Sequence, residues 1–96
     1  MRTETIPLPS ASIGQSFELT ALHFGDETAS RKVYIQASLH ADELPGALVC
    51  HHLRTRLAAL SEHITSHIIV VPMANPIGLA QQLLHTPQGR FELGTG

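Results

Sequence analysis

The sequence predicts an α/β fold: a mixed sheet with flanking helices, in which two antiparallel edge strands are followed by a β-α-β unit. Three observations carry this reading. "SFELTALHF" alternates, with Phe17, Leu19, Ala21 and His23 pointing one way and Glu18, Thr20, Leu22 and Phe24 the other, the period of a strand. "HIIVVPMA" is a continuous apolar run, as expected for a strand covered on both faces. Between them, Val49, Leu53, Leu57 and Leu60 recur at spacings of four, four and three, which predicts a helix with one buried stripe.

The elements follow in order. "TETIPLPS" is extended but broken by Pro7 and Pro9, so it suits an edge strand. "GDETASRK" is a polar turn, and an antiparallel return is expected after it. "KVYIQASL" is rich in Val, Tyr and Ile and forms the next strand. Pro45 fits the first turn of the helix, where a missing N–H costs nothing. Cys50 borders the stripe, and Arg54, Arg56 and Glu62 lie off it. "SEHITS" ends the helix. "NPIGLAQQLL" turns sharply into a short helix, and "HTPQGRFELGTG" reads as a loop. The last two strands and their helix should be parallel with a right-handed crossover.

Composition narrows the function. The 96 residues suit one small domain, 1–96, with a modest core. With 43% hydrophobic and 15% charged residues the chain is globular and not disordered. A net charge of -2 with no basic run removes the electrostatic basis for general nucleic-acid binding. Only Phe17, Phe24, Tyr34 and Phe91 are aromatic, too few for a base-stacking platform. No apolar run approaches the length that spans a bilayer. "MRTETIPLPS" has no long apolar core and is not expected to be a signal peptide. Cys50 is the single cysteine, which excludes an internal disulfide and suits a reducing cytoplasm.

The chemistry gathers where strands end. In open α/β sheets, ligands bind beyond the carboxyl ends of the strands. His40 follows "VYIQASL" and Asn75 follows "IIVVPMA", so two parallel strands deliver polar residues to one rim. His40 and Glu43 stand three apart across the strand-helix joint, and an imidazole and a carboxylate can both reach one Zn²⁺. The plainer reading makes Glu43 a helix N-terminal charge and His40 a solvated turn residue. A dinucleotide site is excluded, because "SLHADELPG" has no G-x-G-x-x-G loop.

"SLHADELPG", then "VVPMANPIGL", then "GRFEL" resembles the succinylglutamate desuccinylase/aspartoacylase family, a branch of the zinc carboxypeptidase-like hydrolases. The three segments stand in the family order and span residues 33–94, about two-thirds of the chain. The resemblance implies a zinc-dependent amidohydrolase that cleaves the amide bond of an N-acyl amino acid or related small substrate bearing a carboxylate. By the same resemblance His40 and Glu43 match the first two zinc ligands. Asn75, Pro76 and Gly78 match a turn that shapes the substrate rim. Arg90 matches the arginine that polarises the scissile carbonyl or stabilises its oxyanion, a role suited to a fixed guanidinium. The family's third ligand (a later histidine), its glutamate base and its Asn-Arg pair are not found in the 96 residues. The chain is therefore expected to be the N-terminal portion of a longer hydrolase and to have no turnover of its own.

The remaining histidines are expected to be inert. His51 and His52 should point away from the rim. His67 opens its strand at the amino end, the opposite edge of the sheet. His63 sits near the helix C-terminus, and His23 is a packed or half-exposed strand residue. His85 alone offers an extra ligand, and reads better as a loop residue. Cys50 has no base partner and behaves as a small hydrophobe. The competing class is a non-catalytic α/β binding module in which His40 and Glu43 cap and solvate. The far edge of "HIIVVPMA" is expected to be unpaired, which would invite self-association of two copies.

Overall fold

The computed structural model describes residues 1–10 and 13–80. The alternating and apolar segments become strands β1 (Arg2–Leu8), β2 (Phe17–Gly25), β3 (Lys32–Gln36) and β4 (His67–Val71). Helix α1 (Pro45–Leu60) ends in a single 3-10 turn, Ser61–His63, and a short helix α2 (Pro76–Ala80) follows β4. Pro45 is in the first turn of α1, and the N-cap residue is Leu44.

The four strands form one mixed sheet in the order β1-β2-β4-β3. β1 runs antiparallel to β2, from Arg2 opposite His23 to Leu8 opposite Phe17. β4 runs parallel to β3, with Lys32 beside His67 and Gln36 beside Val71. Mixed α/β architecture, antiparallel edge and parallel β-α-β unit are as the sequence implies.

Two expectations are corrected. "GDETASRK" does not return the chain as a hairpin, because β4 lies between β2 and β3 and pairs antiparallel with β2. Nor does β4 have an open edge, since both its edges are paired. The reason is hydrophobic: the most apolar strand gains most from a central place, and the polar segment is long enough to step across it. That step is pinned at both ends. Asp26 N–H donates to Ser66 O at 3.1 Å and His67 N–H donates to Arg31 O at 3.0 Å. Inside it, the Asp26 carboxylate accepts from the Thr28 N–H at 2.9 Å and hydroxyl at 2.6 Å. Those two bonds hold the Asp26 carboxyl below its ordinary range. The outward edges of the sheet are β1 and β3, and on β3 Val33 and Tyr34 are exposed.

The core lies between α1 and one face of the sheet. Leu22, Phe24, Ala37, Cys50 and Val70 are buried together, with Ile35, Leu57, Ile64 and Ile68 packed against them. Burying Phe24 and Val70, the largest fully buried side chains, contributes about 1.5–3 kcal/mol each. The opposite face carries Ala21, His23, His67 and Val71, also buried. The alternation in "SFELTALHF" therefore divides the two faces as expected.

The buried stripe of α1 is corrected. Val49 and Leu60 are exposed, and Cys50 is the buried residue, with Leu53 and Leu57 half-buried on the same side. Gly46 sets this rotation: a Cβ there would lie 3.1 Å from the Ala37 Cβ. The helix start thus sits close against the end of β3, which turns the 46/50/53/57 side inward. The apolar residues of α1 lie on more than one side, so spacing alone could not choose between the stripes. Burial pushes the Cys50 thiol up, which keeps it protonated and unreactive.

Gly25 closes β2 with φ +78°, and a Cβ there would meet Ser66 O at 2.1 Å and Ile64 Cγ2 at 2.6 Å. The backbone oxygen cannot step aside without breaking the Asp26–Ser66 bond. Gly25→Ala is expected to lower stability by about 2–4 kcal/mol. A urea titration reads this as a lower midpoint at unchanged slope.

Candidate metal centre

The rim is built from the carboxyl ends of β3 and β4. Their pairing continues past the strands: Ala37 N–H donates to Val71 O at 3.0 Å, and Ala74 N–H donates back to Ala37 O at 2.8 Å. Both chains must then turn in the same place. β3 turns at Ser38, which takes φ 57°, the one positive φ of a non-glycine among the described residues. Its side chain is buried, and its Oγ has no hydrogen-bond partner among them.

Fully buried Ala41 anchors the segment beyond. The Glu43 N–H donates to His40 O at 3.0 Å, closing a turn that puts both side chains on one side. His40 Nδ1 lies 3.4 Å from Glu43 Oε2, with both groups exposed. Two ligands of one zinc ion, each about 2.0–2.2 Å from it at a tetrahedral angle, lie about 3.4 Å apart. The donor set and spacing therefore fit a zinc ion. No third histidine, cysteine or carboxylate joins this pair among the described residues. An open depression of about 680 Å³ lies beside it, lined by Ser38, His40, Asp42, Glu43 and Gly46 among others.

Asn75 is at the same rim and ties its two halves together. Its Oδ1 accepts the Gly78 N–H at 2.9 Å, capping α2, and its Nδ2 donates to Leu39 O at 3.2 Å. One side chain thus holds the loop that carries His40 against the start of α2. Arg90 and His85 lie outside the described residues. His51 and His52 are exposed on α1, their rings edge to face.

Sequence reasoning missed a second group. His23, Glu27 and His67 each bring one donor atom within 4.8 Å of the others. His23 and His67 were expected to be inert, yet their Nδ1 and Nε2 atoms are 2.8 Å apart. The signal that would have found them is the β2–β4 register, which sets His67 opposite Gly25 and His23 opposite Ile69. Neither residue's local sequence contains it.

Residues 29–90 match the model of the succinylglutamate desuccinylase/aspartoacylase catalytic domain, well over half of the chain. The chain belongs to the succinylglutamate desuccinylase/aspartoacylase family. That family is one of hydrolases. Two crystal structures are similar to the chain throughout. One, from Shewanella amazonensis SB2B, is of a protein provisionally assigned to the same family; it is 32% identical with a TM-score of 0.77, covering 100% of this chain and 26% of that one. The other, so described from Shewanella frigidimarina NCIMB 400, is 29% identical with a TM-score of 0.79, covering 99% of this chain and 25% of that one. The chain thus spans about a quarter of the length of these relatives. No curated protein matches it. No helix among the described residues is long and apolar enough to cross a membrane.

The turn at Ser38 is strained. A left-handed residue with a Cβ costs about 1–2 kcal/mol, and an unpaired buried hydroxyl about 1–3 kcal/mol. Glycine gives back about 0.5–1 kcal/mol in chain entropy. Ser38→Gly is therefore expected to raise stability by about 1 kcal/mol or more, read as a higher denaturant midpoint.

Proposed function

We propose that His40 and Glu43 are two protein ligands of a catalytic zinc ion, in a carboxypeptidase-like hydrolase that cleaves the amide bond of an N-acyl amino acid. What carries the reading is the 3.4 Å approach of His40 Nδ1 and Glu43 Oε2 at the carboxyl ends of two parallel strands. Bound there, zinc would polarise the scissile carbonyl and bring the pKa of its water toward 7. The chain's own residues supply the setting. Ser38 and Asn75 fix the loop that carries His40, so little rearrangement is needed when an ion arrives. Arg90 is the group that stabilises negative charge on the carbonyl oxygen as the tetrahedral intermediate forms. The substrate is a small molecule carrying a carboxylate.

Two protein ligands leave half of a tetrahedral zinc ion's coordination to water. Weak, reversible zinc binding and no turnover of N-acyl amino acids are expected of the 96 residues. In a zinc titration followed by NMR of the histidine rings, His40 should shift, and His40→Ala should weaken binding at the rim about tenfold or more. A His40 ring that ignores zinc at millimolar concentration would leave the binding-module reading.

We also infer that copies of this chain associate through β3. Its outer edge has no strand partner among the described residues, and Tyr34 is 59% exposed. An edge strand with exposed apolar side chains is a template for another edge. Light scattering at micromolar concentration should show a dimer, and Val33→Lys with Tyr34→Lys should return it to the monomer. A monomeric chain at that concentration would end this proposal.

A further inference from the structure

We propose that His23, His67 and Glu27 form a second metal site, structural and separate from the rim, for a divalent ion of zinc's class, with Glu4 orienting His23 from behind. The register brings the donors together. His23 on β2 and His67 on β4 are diagonal neighbours on the face away from α1, within reach of long side chains. Their rings stack with centroids 5.0 Å apart. Both are well buried, His23 at 7% and His67 at 5% exposure. Glu27 reaches in from the turn after β2, its Oε1 3.9 Å from His23 Nδ1.

The spacing is close to what an ion needs. Imidazole nitrogens about 2.0–2.1 Å from zinc at a tetrahedral angle lie about 3.3 Å apart. The His23–His67 separation of 2.8 Å must open slightly, and the His23–Glu27 separation of 3.9 Å must close slightly. Small rotations of three side chains do both. His67 Nε2 faces His23, and ligation through it puts the His67 proton on Nδ1, a buried atom with no partner among the described residues.

His23 is already aimed. Its Nε2 lies 2.8 Å from Glu4 Oε1, so the proton belongs on Nε2 and the lone pair of Nδ1 faces the site. A carboxylate behind a ligating imidazole fixes its tautomer and raises its basicity. Glu27 can ligate through Oε1 while its Oε2 still accepts from Arg2 Nε at 2.9 Å, at the cost of the bonds that Oε1 accepts from Arg2 Nη2 at 2.6 Å and Nε at 3.1 Å. Arg2 holds the Glu27 carboxyl below its ordinary range, so it is ionised and ready to bind. Around the site stand the carboxylates of Glu4, Asp26 and Glu27 against the guanidinium of Arg2 and the ammonium of Lys32, which pairs with His67 across β3 and β4, and the sum stays negative. That balance suits a dication. Two imidazoles with one carboxylate select zinc over magnesium or calcium.

The site is not the rim seen from another side. His67 begins β4 and the rim lies past its end, about 13 Å along a five-residue strand. An ion here would tie β2 and β4 to the turn after β2, and through Glu4 to β1. Its role is to hold the sheet together where α1 does not cover it.

The test uses metal-free protein, unsubstituted and as His40→Ala/Glu43→Gln to silence the rim, with Zn²⁺ alone as the probe. The rim variant should still bind one Zn²⁺. The His23 and His67 rings should shift in NMR in both proteins, and the thermal midpoint should rise with zinc. Added to the rim variant, Glu27→Gln and Glu4→Gln should each weaken binding about tenfold or more. Unshifted His23 and His67 rings in the unsubstituted protein at millimolar Zn²⁺ would overturn the proposal, whatever the variants do. So would undiminished affinity after Glu27→Gln.

Discussion

The central position of β4 is the constraint on which the other features depend. Because it is paired on both edges, β2 and β3 are held apart, and the segment between them must cross its amino end. Because it runs parallel to β3, two carboxyl ends reach one rim. The bonds from Ala37 to Val71 and from Ala74 to Ala37 carry that pairing beyond the strands. They leave the chain at Ser38 with no extended continuation. The strained turn, and with it the approach of His40 to Glu43, follows from a pairing that runs one residue too far for comfort.

The two faces of the sheet solve burial differently. Under α1 the solution is apolar, with Phe24 and Val70 at its centre. On the other face two buried imidazoles, His23 and His67, stand with Ala21 and Val71. A buried polar ring is tolerable only when its nitrogens are paired. His23 meets this through Glu4 and His67, whereas among the described residues His67 meets it only halfway.

Much of this was legible in the residues. The alternation at Phe17 to Phe24, the apolar run at His67 to Val71 and the proline at the head of α1 are local signals, and each gave its element. His40, Glu43 and Asn75 could be assigned to one rim because strand direction follows from the β-α-β order alone. What stayed hidden was non-local. That β4 parts β2 from β3 depends on competition among strands for the centre. The partnership of His23 with His67 depends on register across that same contact. The true inner side of α1 depends on Gly46 lying against Ala37, a contact between two elements that neither one announces.

The strand order also dictates a sequence of events in time. Of the two pairs of successive strands that are neighbours in the sheet, only β1 and β2 form a hairpin, whereas β3 and β4 pair across α1. β3 has no partner until residues 67–71 arrive, since the strand that accepts it comes after α1. The sheet therefore cannot grow by zipping from one end. A hairpin and a helix can form early, but β3 must wait as a loose strand for the insertion that joins it to the rest. Closing that long loop is the slow, entropy-limited step of such a topology, and until it is complete neither the rim nor the histidine pair exists.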